Sequence, residues 1–556
     1  MEITTDVLVI GAGGAGCRAA IEAADCGVSV LIASKGAPGK SGATAYPVAE
    51  MAGYNAGDAR MAGDTQRHYD DIMAAGRKMA DGRLAAIVAA GAPGTVRRLE
   101  KWGVAFERAE GNYYIFKSCF SSHPRTHVIR GHGEPILKAM TGQIALRPNI
   151  KIAEDFCVVG LCVSDGTCVG AYGICGGELT FVRAKAIVLT AGGGGRIFKR
   201  SMNPRDITGD GYSIAYRAGA SLVNMEFLQI GIGFSWPVEN IFNGYIWEGL
   251  PKLLDADGRD IFDGLLPKGV TSEDVMHEHR KHFPFSTSDD SKYLEIAVHS
   301  AINCGRGTTH GGIRADLSHM TESHIKTVKD DCGIRRMWPM ALEYMRTKGV
   351  DLLKDGAEIA CFAHAVNGGV KIDENAMSDV EGLFAAGECA GGPHGADRLG
   401  GNMMVTCQVF GEIAGKNAAA HALRHRTLCD ANISASAKKD EAWNALFKST
   451  DAEEKLGRLQ ASAQKNLLVR RTEEGLSELI STAREAAKEL AESPSCDKPA
   501  PKNAELWHAL TSAELMARCA LARKESRGAH HRADFPFMDE AQGVPIVINE
   551  RGGLLR

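Results

Sequence analysis

The sequence predicts an α/β fold that closes in a helical region, and three observations carry that expectation. A short apolar run, Val7-Leu8-Val9-Ile10, passes at once into a glycine turn. A segment of helical length and a second apolar run follow it, and far downstream glycine nearly vanishes from Ala431 to Ser495. With 556 residues the chain has room for roughly two to four domains at ~100–200 residues each.

A continuous apolar run such as Val7 to Ile10 suits a strand buried on both faces of a parallel sheet. The turn after it, Gly11-Ala12-Gly13-Gly14-Ala15-Gly16, is G-x-G-x-x-G at the strand-to-helix position. The spacing predicts a helix from Cys17 to Ala24, a stop at Gly27 and a second strand over Val28 to Ile32. Side chains in that turn would hold the backbone away from a pyrophosphate, which must reach the free N–H groups of the helix N-terminus. The second strand ends in Ala33-Ser34-Lys35, without the acidic residue that usually holds an adenosine ribose. Farther on, Ile187-Val188-Leu189-Thr190 runs into Ala191-Gly192-Gly193-Gly194-Gly195, which reads either as a second glycine turn or as a tight strand exit. The tail repeats Ala, Glu, Lys, Leu and Arg at helical spacing, broken at Ser493-Pro494-Ser495 and Pro499-Ala500-Pro501.

Composition removes several function classes. The net charge is −4 with both signs mixed along the chain, so there is no basic footprint for nucleic acid. The 15 cysteines stand singly, with no CxxC pair and no zinc or iron–sulfur spacing. They read as reduced thiols of a cytoplasmic protein, and any iron–sulfur centre is expected in a partner subunit. No basic segment precedes Val7 as a signal peptide would require. Apolar stretches such as Ala186 to Leu189 meet glycine within a few residues, so no direct membrane insertion is expected and membrane contact would run through a partner.

Four further segments complete a pattern: Thr208-Gly209-Asp210-Gly211, Gly387-Glu388-Cys389, His394-Gly395-Ala396-Asp397-Arg398-Leu399-Gly400-Gly401-Asn402, and Glu525-Ser526-Arg527-Gly528-Ala529-His530. Together with the first turn they resemble the flavoprotein family of fumarate reductase, succinate dehydrogenase and L-aspartate oxidase. The resemblance implies a Rossmann-like FAD-binding domain at 1–235 and 345–430, interrupted by an α+β capping domain at 236–344 and followed by a C-terminal helical domain at 431–556. It places flavin contacts at Gly11, Gly13, Gly16, Ser34, Lys35, Ser41, Thr44, Ala191, Gly192, Asp210, Glu388, Asn402, Met403 and Met404. In that family the second strand often ends in Ser-Lys, which accounts for Ser34 and Lys35. Respiratory members carry the flavin on a histidine just before the threonine of Ser41-Gly42-Ala43-Thr44; alanine stands there in this chain, so the FAD is expected to be non-covalent.

The same resemblance gives a partial substrate site. Arg398 falls where the family forks a carboxylate, a task suited to a planar guanidinium, and His364 falls where a histidine bonds the same ligand. The Gln-Phe-His-Pro-Thr segment that would hold a far carboxylate is absent: Glu226 is followed by Phe227-Leu228-Gln229-Ile230-Gly231-Ile232-Gly233. Two glycines there predict a roomier, less polar pocket and a small organic acid other than fumarate. The family's proton-donating Arg-Asp pair falls at Ser291-Lys292, leaving Lys292 as either the acid or a solvated surface lysine. His123, Arg125, His127, Arg130, His132 and Glu134 crowd a short segment, but Pro124 and the neighbouring glycines argue for a loop, and no metal is expected. Trp236 and Trp247 are either packing or stacking residues. The expected chemistry is hydride transfer between flavin N5 and a carbon beside a carboxylate. Ser41-Gly42-Ala43, Glu100-Lys101-Trp102-Gly103 and Gly133-Glu134 look similar instead to the adenylylsulfate reductase flavoprotein, which works with an iron–sulfur partner and is the alternative.

Overall fold

In the computed structural model, which describes residues 1–49, 51–57, 61–327, 337–425, 432–550 and 553–555, the first apolar run becomes β1 (Glu2–Ile10). It is followed by α1 (Gly14–Asp25) and β2 (Val30–Ala33). Strands β3 (Ile150–Ala153), β4 (Phe156–Ser164), β5 (Thr167–Cys175) and β6 (Glu178–Leu189) complete most of one sheet in the order β3-β2-β1-β6-β5-β4. Strand Leu383–Ala385 also pairs with β6, on the half that β5 leaves free. β3, β2, β1, β6 and Leu383–Ala385 are parallel, while β4 to β6 form an antiparallel meander. Val7, Leu8, Val9 and Ile187 to Leu189 are fully buried, as a sheet covered on both faces demands. The register that pairs Ile10 with both Ala33 and Leu189 brings three strand ends to one edge, where both glycine turns lie.

The alanine-rich stretch predicted as a helix is buried on every face from Gly14 to Ala24. One side lies on the sheet; the other meets a long helix at Asn402–Arg424. The two helices cross closely because Gly411 and Gly415 carry no side chain. A Cβ at Gly415 would stand 2.3 Å from the Ala19 carbonyl oxygen.

Beyond the sheet come α2 (Asp210–Arg217), β7 (Leu228–Trp236), α3 (Ser272–His279), α4 (Lys292–Asn303), β8 (Ile313–Asp316) and β9 (Ala357–Val366). Thr271 and Asp274 form a capping box that starts α3. A second five-stranded sheet runs Asn240–Ile241, β7, β9, β8, Lys252–Leu254. β7 passes through position 235, and β9 lies beyond position 345, so this sheet is built from both sides of the expected insertion limits. The helix at Asn402–Arg424 is α5, and the tail adds α6 (Ala452–Asn466), α7 (Glu473–Glu492) and α8 (Pro501–Ala522), with Asp451 and Thr472 capping α6 and α7. The expected limit at 430/431 lies outside the described residues. No described helix is long and apolar enough to cross a membrane.

The C-terminal segment is tied back by buried ions. Arg523 Nε donates to Glu226 Oε1 at 2.7 Å and its Nη1 to Glu525 Oε1 at 2.9 Å. Arg527 forks the same Glu525 carboxylate through Nε at 2.8 Å and Nη2 at 2.9 Å.

Candidate active site

A cavity of about 340 Å³ opens at the edge where the parallel strands end. Ligands of open parallel sheets bind at such a place, because loops diverge there and helix N-termini point inward. Gly11, Gly13, Ser34, Lys35, Ser41, Thr44, Ala191, Gly192, Asp210, Glu388, Met403 and Met404 all line it.

The backbone there is shaped for an elongated polar ligand. Thr190 joins the two glycine turns, its N–H and Oγ1 both donating to the Ile10 carbonyl oxygen at 2.9 and 2.8 Å. Gly11 has φ +104°, and a Cβ on it would stand 2.4 Å from the Thr190 carbonyl oxygen, so only glycine fits. A Cβ on Gly13 would meet nothing within 4 Å, which leaves the approach to the α1 N-terminus open. Gly14 N donates to Thr44 Oγ1 at 3.3 Å. Lys35 Nζ is held by Asp210 at 2.7 Å and Glu505 at 2.8 Å. Glu388 leaves Leu383–Ala385 and lies against Gly193, where a Cβ would be 2.1 Å from its Oε1. That oxygen accepts from Val366 N at 2.9 Å. Withdrawal from bulk water pushes the Glu388 carboxyl up to about 7, outweighing this bond and the Arg398 charge. A carboxyl so placed is a ready acceptor for ligand hydroxyls. Helix N-terminus, open glycine and buried carboxyl suit the pyrophosphate and hydroxyls of FAD.

Arg398 stands farther along the same cavity. Its Nε donates to Gln229 Oε1 at 2.8 Å and its Nη1 to the Leu399 carbonyl oxygen at 3.0 Å; Nη2 lies 3.5 Å from His364 Nε2. Gln229 Nε2 returns a bond to the Arg398 carbonyl oxygen at 3.1 Å. Three of the five guanidinium N–H groups are thereby committed, leaving one on each terminal nitrogen. Burial and the Arg398 charge push His364 down to about 3, so its ring is neutral. With Nε2 facing the guanidinium as acceptor, Nδ1 carries the hydrogen, and that buried atom has no partner among the described residues.

The glycines of β7 do not leave the expected room. The ring of Phe283 occupies the space beside Gly231, where a Cβ would be 2.2 Å from Phe283 Cζ. At Gly233 the space is taken by Met202 Cε at 2.9 Å and Phe362 Cδ2 at 3.0 Å. The physical reason is that the turn after α3 adds itself to β7, with Phe285 N donating to the Ile230 carbonyl oxygen at 2.8 Å. The expectation of a roomier pocket is corrected, and the same turn brings Arg280, Lys281 and His282 to the cavity lining.

Other predicted residues lie elsewhere. Gly16 does not line the cavity; it lets α1 close on Gly11, whose carbonyl oxygen would be 1.9 Å from a Cβ. Asn402 is buried behind the wall, its Oδ1 bonded to Asn55 Nδ2 at 2.9 Å and to His68 at 3.0 Å. Lys292 begins α4 outside the cavity lining, with Nζ 3.9 Å from Asp290. Trp247 is buried against Phe242 and His279, and Trp236 stacks on His310 at 4.4 Å, so neither lines the cavity. In the histidine-rich segment, His123 and Arg125 bond Asp64, Arg125 also pairs with Asp71, and His127 packs edge-on to Phe106. His132 alone of its histidines lines the cavity, and burial pushes it down to about 4.

Sequence reasoning missed Gln229, Phe283 and His282. Gln229 had a signal, since it is what remains of the altered segment. His282 lines the cavity with Nδ1 2.7 Å from the Pro284 carbonyl oxygen and Nε2 3.1 Å from Asp289 Oδ2. Burial opposes its charge, but the Asp289 carboxylate prevails and holds the imidazole above its usual pKa.

Paired glycine turns, a buried carboxyl and a buried arginine meet in one cavity, an arrangement that suits a dinucleotide-dependent oxidoreductase. The comparisons make the assignment specific: residues 6–404 match the family described as FAD binding domain, and residues 457–544 match Fumarate reductase flavoprotein C-term. The chain belongs to this family of FAD-dependent oxidoreductases. It is 32% identical to one of the subunits of Fumarate reductase (CoM/CoB) from Methanothermobacter marburgensis, across 98% of this chain and 97% of that one. Its fold resembles Mycobacterium smegmatis Sdh1, with a TM-score of 0.82 and 29% identity over 99% of this chain and 92% of that one. Adenylylsulfate reductase from Archaeoglobus fulgidus shares the fold at a TM-score of 0.72 and 20% identity, over 100% and 95% of the two chains.

Proposed function

We propose that the protein transfers a hydride between FAD and a carbon–carbon or carbon–nitrogen bond beside the carboxylate of a small organic acid other than fumarate. The observation that carries this reading is Arg398, fixed by Gln229 and Leu399 with one N–H left on each terminal nitrogen, facing the cavity beside neutral His364. Bound FAD supplies the two-electron hydride chemistry. Gly11, Gly13 and the α1 N-terminus would hold its pyrophosphate, and Glu388 would accept from its hydroxyls. Arg398 takes both carboxylate oxygens through its two remaining N–H groups, with the neutral His364 ring beside them. In the reducing direction, a proton must accompany the hydride across the substrate double bond. Arg280, Lys281 and His282 line the cavity on one turn and are nearer candidates for that proton than Lys292, whose position outside the lining supports its reading as a surface lysine.

With its cysteines in no iron–sulfur spacing, the chain exchanges electrons with an iron–sulfur partner in this reading. It works in the cytoplasm and meets a membrane only through such a partner. The flavin is non-covalent because Ala43 offers no attachment atom. The test is the visible spectrum of purified protein before and after acid precipitation, followed by titration with small carboxylates, aspartate and AMP. Yellow colour released to the supernatant, a flavin band moved by a carboxylate, and loss of that response in Arg398→Gln are the expected results. Colour kept in the pellet would overturn non-covalent binding. A response to AMP alone would transfer the assignment to adenylylsulfate-type chemistry.

A further inference from the structure

We infer that the far end of the substrate is apolar, so that the site takes a 2-enoic monocarboxylate with an aliphatic or aromatic substituent rather than a dicarboxylate. This rests on the carboxylate clamp of Arg398 and His364 proposed above. The cavity wall beyond the clamp is a distinct apolar cluster: Ala49, Met202, Ile241 and Phe362 are buried together, with Val48 and Phe283 packed on them. All but Phe362 line the cavity. Phe283 stands edge-on to His364, ring centroids 5.3 Å apart at 88°, so the wall begins where the clamp ends.

The wall is built in rather than incidental. Phe283 N donates to Cys119 Sγ at 3.0 Å, and Pro284 bridges to Gly231 while Phe285 bonds Ile230. The turn is therefore stitched to β7 on one side and to the loop carrying Cys119 on the other. Gly231 is what allows the Phe283 ring to lie flat on the strand. Lys281 of the same turn is tied to Glu278 at 2.6 Å and is more than half exposed, so it belongs to the cavity rim. Of the polar groups on the same turn, Arg280, Lys281 and His282, the last two are already held by Glu278 and by Pro284 and Asp289, and the side chains of Phe283, Met202 and Ile241 carry no donor for a second carboxylate. A hydrocarbon or aromatic group would instead release water from those side chains. Conjugation of the double bond to the clamped carboxylate makes the next carbon a hydride acceptor, so the class is a 2-enoate.

The experiment follows the flavin band of the FAD-loaded protein during titration with trans-cinnamate, methyl trans-cinnamate and fumarate. Cinnamate is expected to bind about tenfold or more tighter than fumarate and well above its methyl ester. Phe283→Ala should bring the cinnamate-to-fumarate ratio to within about threefold, and Phe283→Leu should keep most of the preference, with thermal melts confirming that both variants fold. Fumarate binding as tightly as cinnamate, or no response to either, would overturn the inference. An ester that binds like the acid while cinnamate still exceeds fumarate would remove the clamp beneath it and leave the apolar wall standing.

Discussion

At the C-terminal junction Arg523, Arg527, Glu226 and Glu525 are buried together, and in the cavity Arg398, His364 and Glu388 are withdrawn from bulk water, yet the two sets are satisfied differently. In the first, two arginines converge on one glutamate and a second glutamate completes the chain of ion pairs. In the second, Arg398 meets a neutral glutamine, a carbonyl and a neutral imidazole, with no carboxylate among the described residues bonded to it. A paired set holds the fold together, its opposite charges meeting within the protein. The cavity set keeps donors and acceptors that suit the oxygens of a ligand. Mutual pairing, rather than burial, separates charge used for structure from charge used for binding.

Three experiments would break or sharpen that contrast. The largest effect is expected at the paired set. Arg527→Ala leaves Glu525 short of its forked partner and should cost about 3–5 kcal/mol in a denaturant melt. Arg398→Gln should melt close to wild type yet lose about a hundredfold or more in carboxylate affinity. If the two variants melt alike, the contrast fails.

A smaller pair of effects lies in the first glycine turn. Gly16→Ala drives a methyl against the Gly11 carbonyl oxygen and should lower stability by about 1–3 kcal/mol, read by thermal melt without FAD. Gly13→Ala has space and an extended backbone, φ −77° and ψ −168°, that alanine adopts readily. Its FAD-free melt should stay within about 0.5 kcal/mol of wild type while FAD affinity falls roughly tenfold. Equal melts for both variants would show that the turn does not divide its work between packing and ligand.

The smallest effect is a pH slope. Glu388 keeps its proton up to about 7 in the folded protein, whereas an unfolded glutamate releases it near its ordinary value of 4.5. The folded state therefore binds more protons between those values, and stability of the FAD-free protein should fall as pH rises from about 4.5 to about 7 and then level off. The contribution is on the order of 1–2 kcal/mol, since water in the cavity screens the charge. Melts of wild type and Glu388→Gln across that range check it; the variant should be flatter. A wild-type slope unchanged by the substitution would remove Glu388 as its source.

Much of the nucleotide side was legible because its signals are local. Val7 to Ile10, the glycine turn and the following helix lie between Val7 and Asp25, so hydrophobic period and glycine placement describe the unit without knowledge of the rest. The helical tail was legible for the same reason. Arg398 and His364 were found through a resemblance to known segments, and the cavity does bring them together.

The cavity wall beside Arg398 was not legible. The two glycines of β7 announced missing side chains but not what fills their place, and Phe283 comes from a turn with no periodicity of its own. Gln229 reaches Arg398 across 169 residues of chain, and no spacing rule covers that distance. What the sequence determined by itself is every feature set by neighbours along the chain: the strand, glycine turn and helix of the first unit, and the helical close. What only the tertiary structure decided is the shape and polarity of the cavity wall beside Arg398, because close packing lets a distant ring occupy the volume that a local pair of glycines vacates.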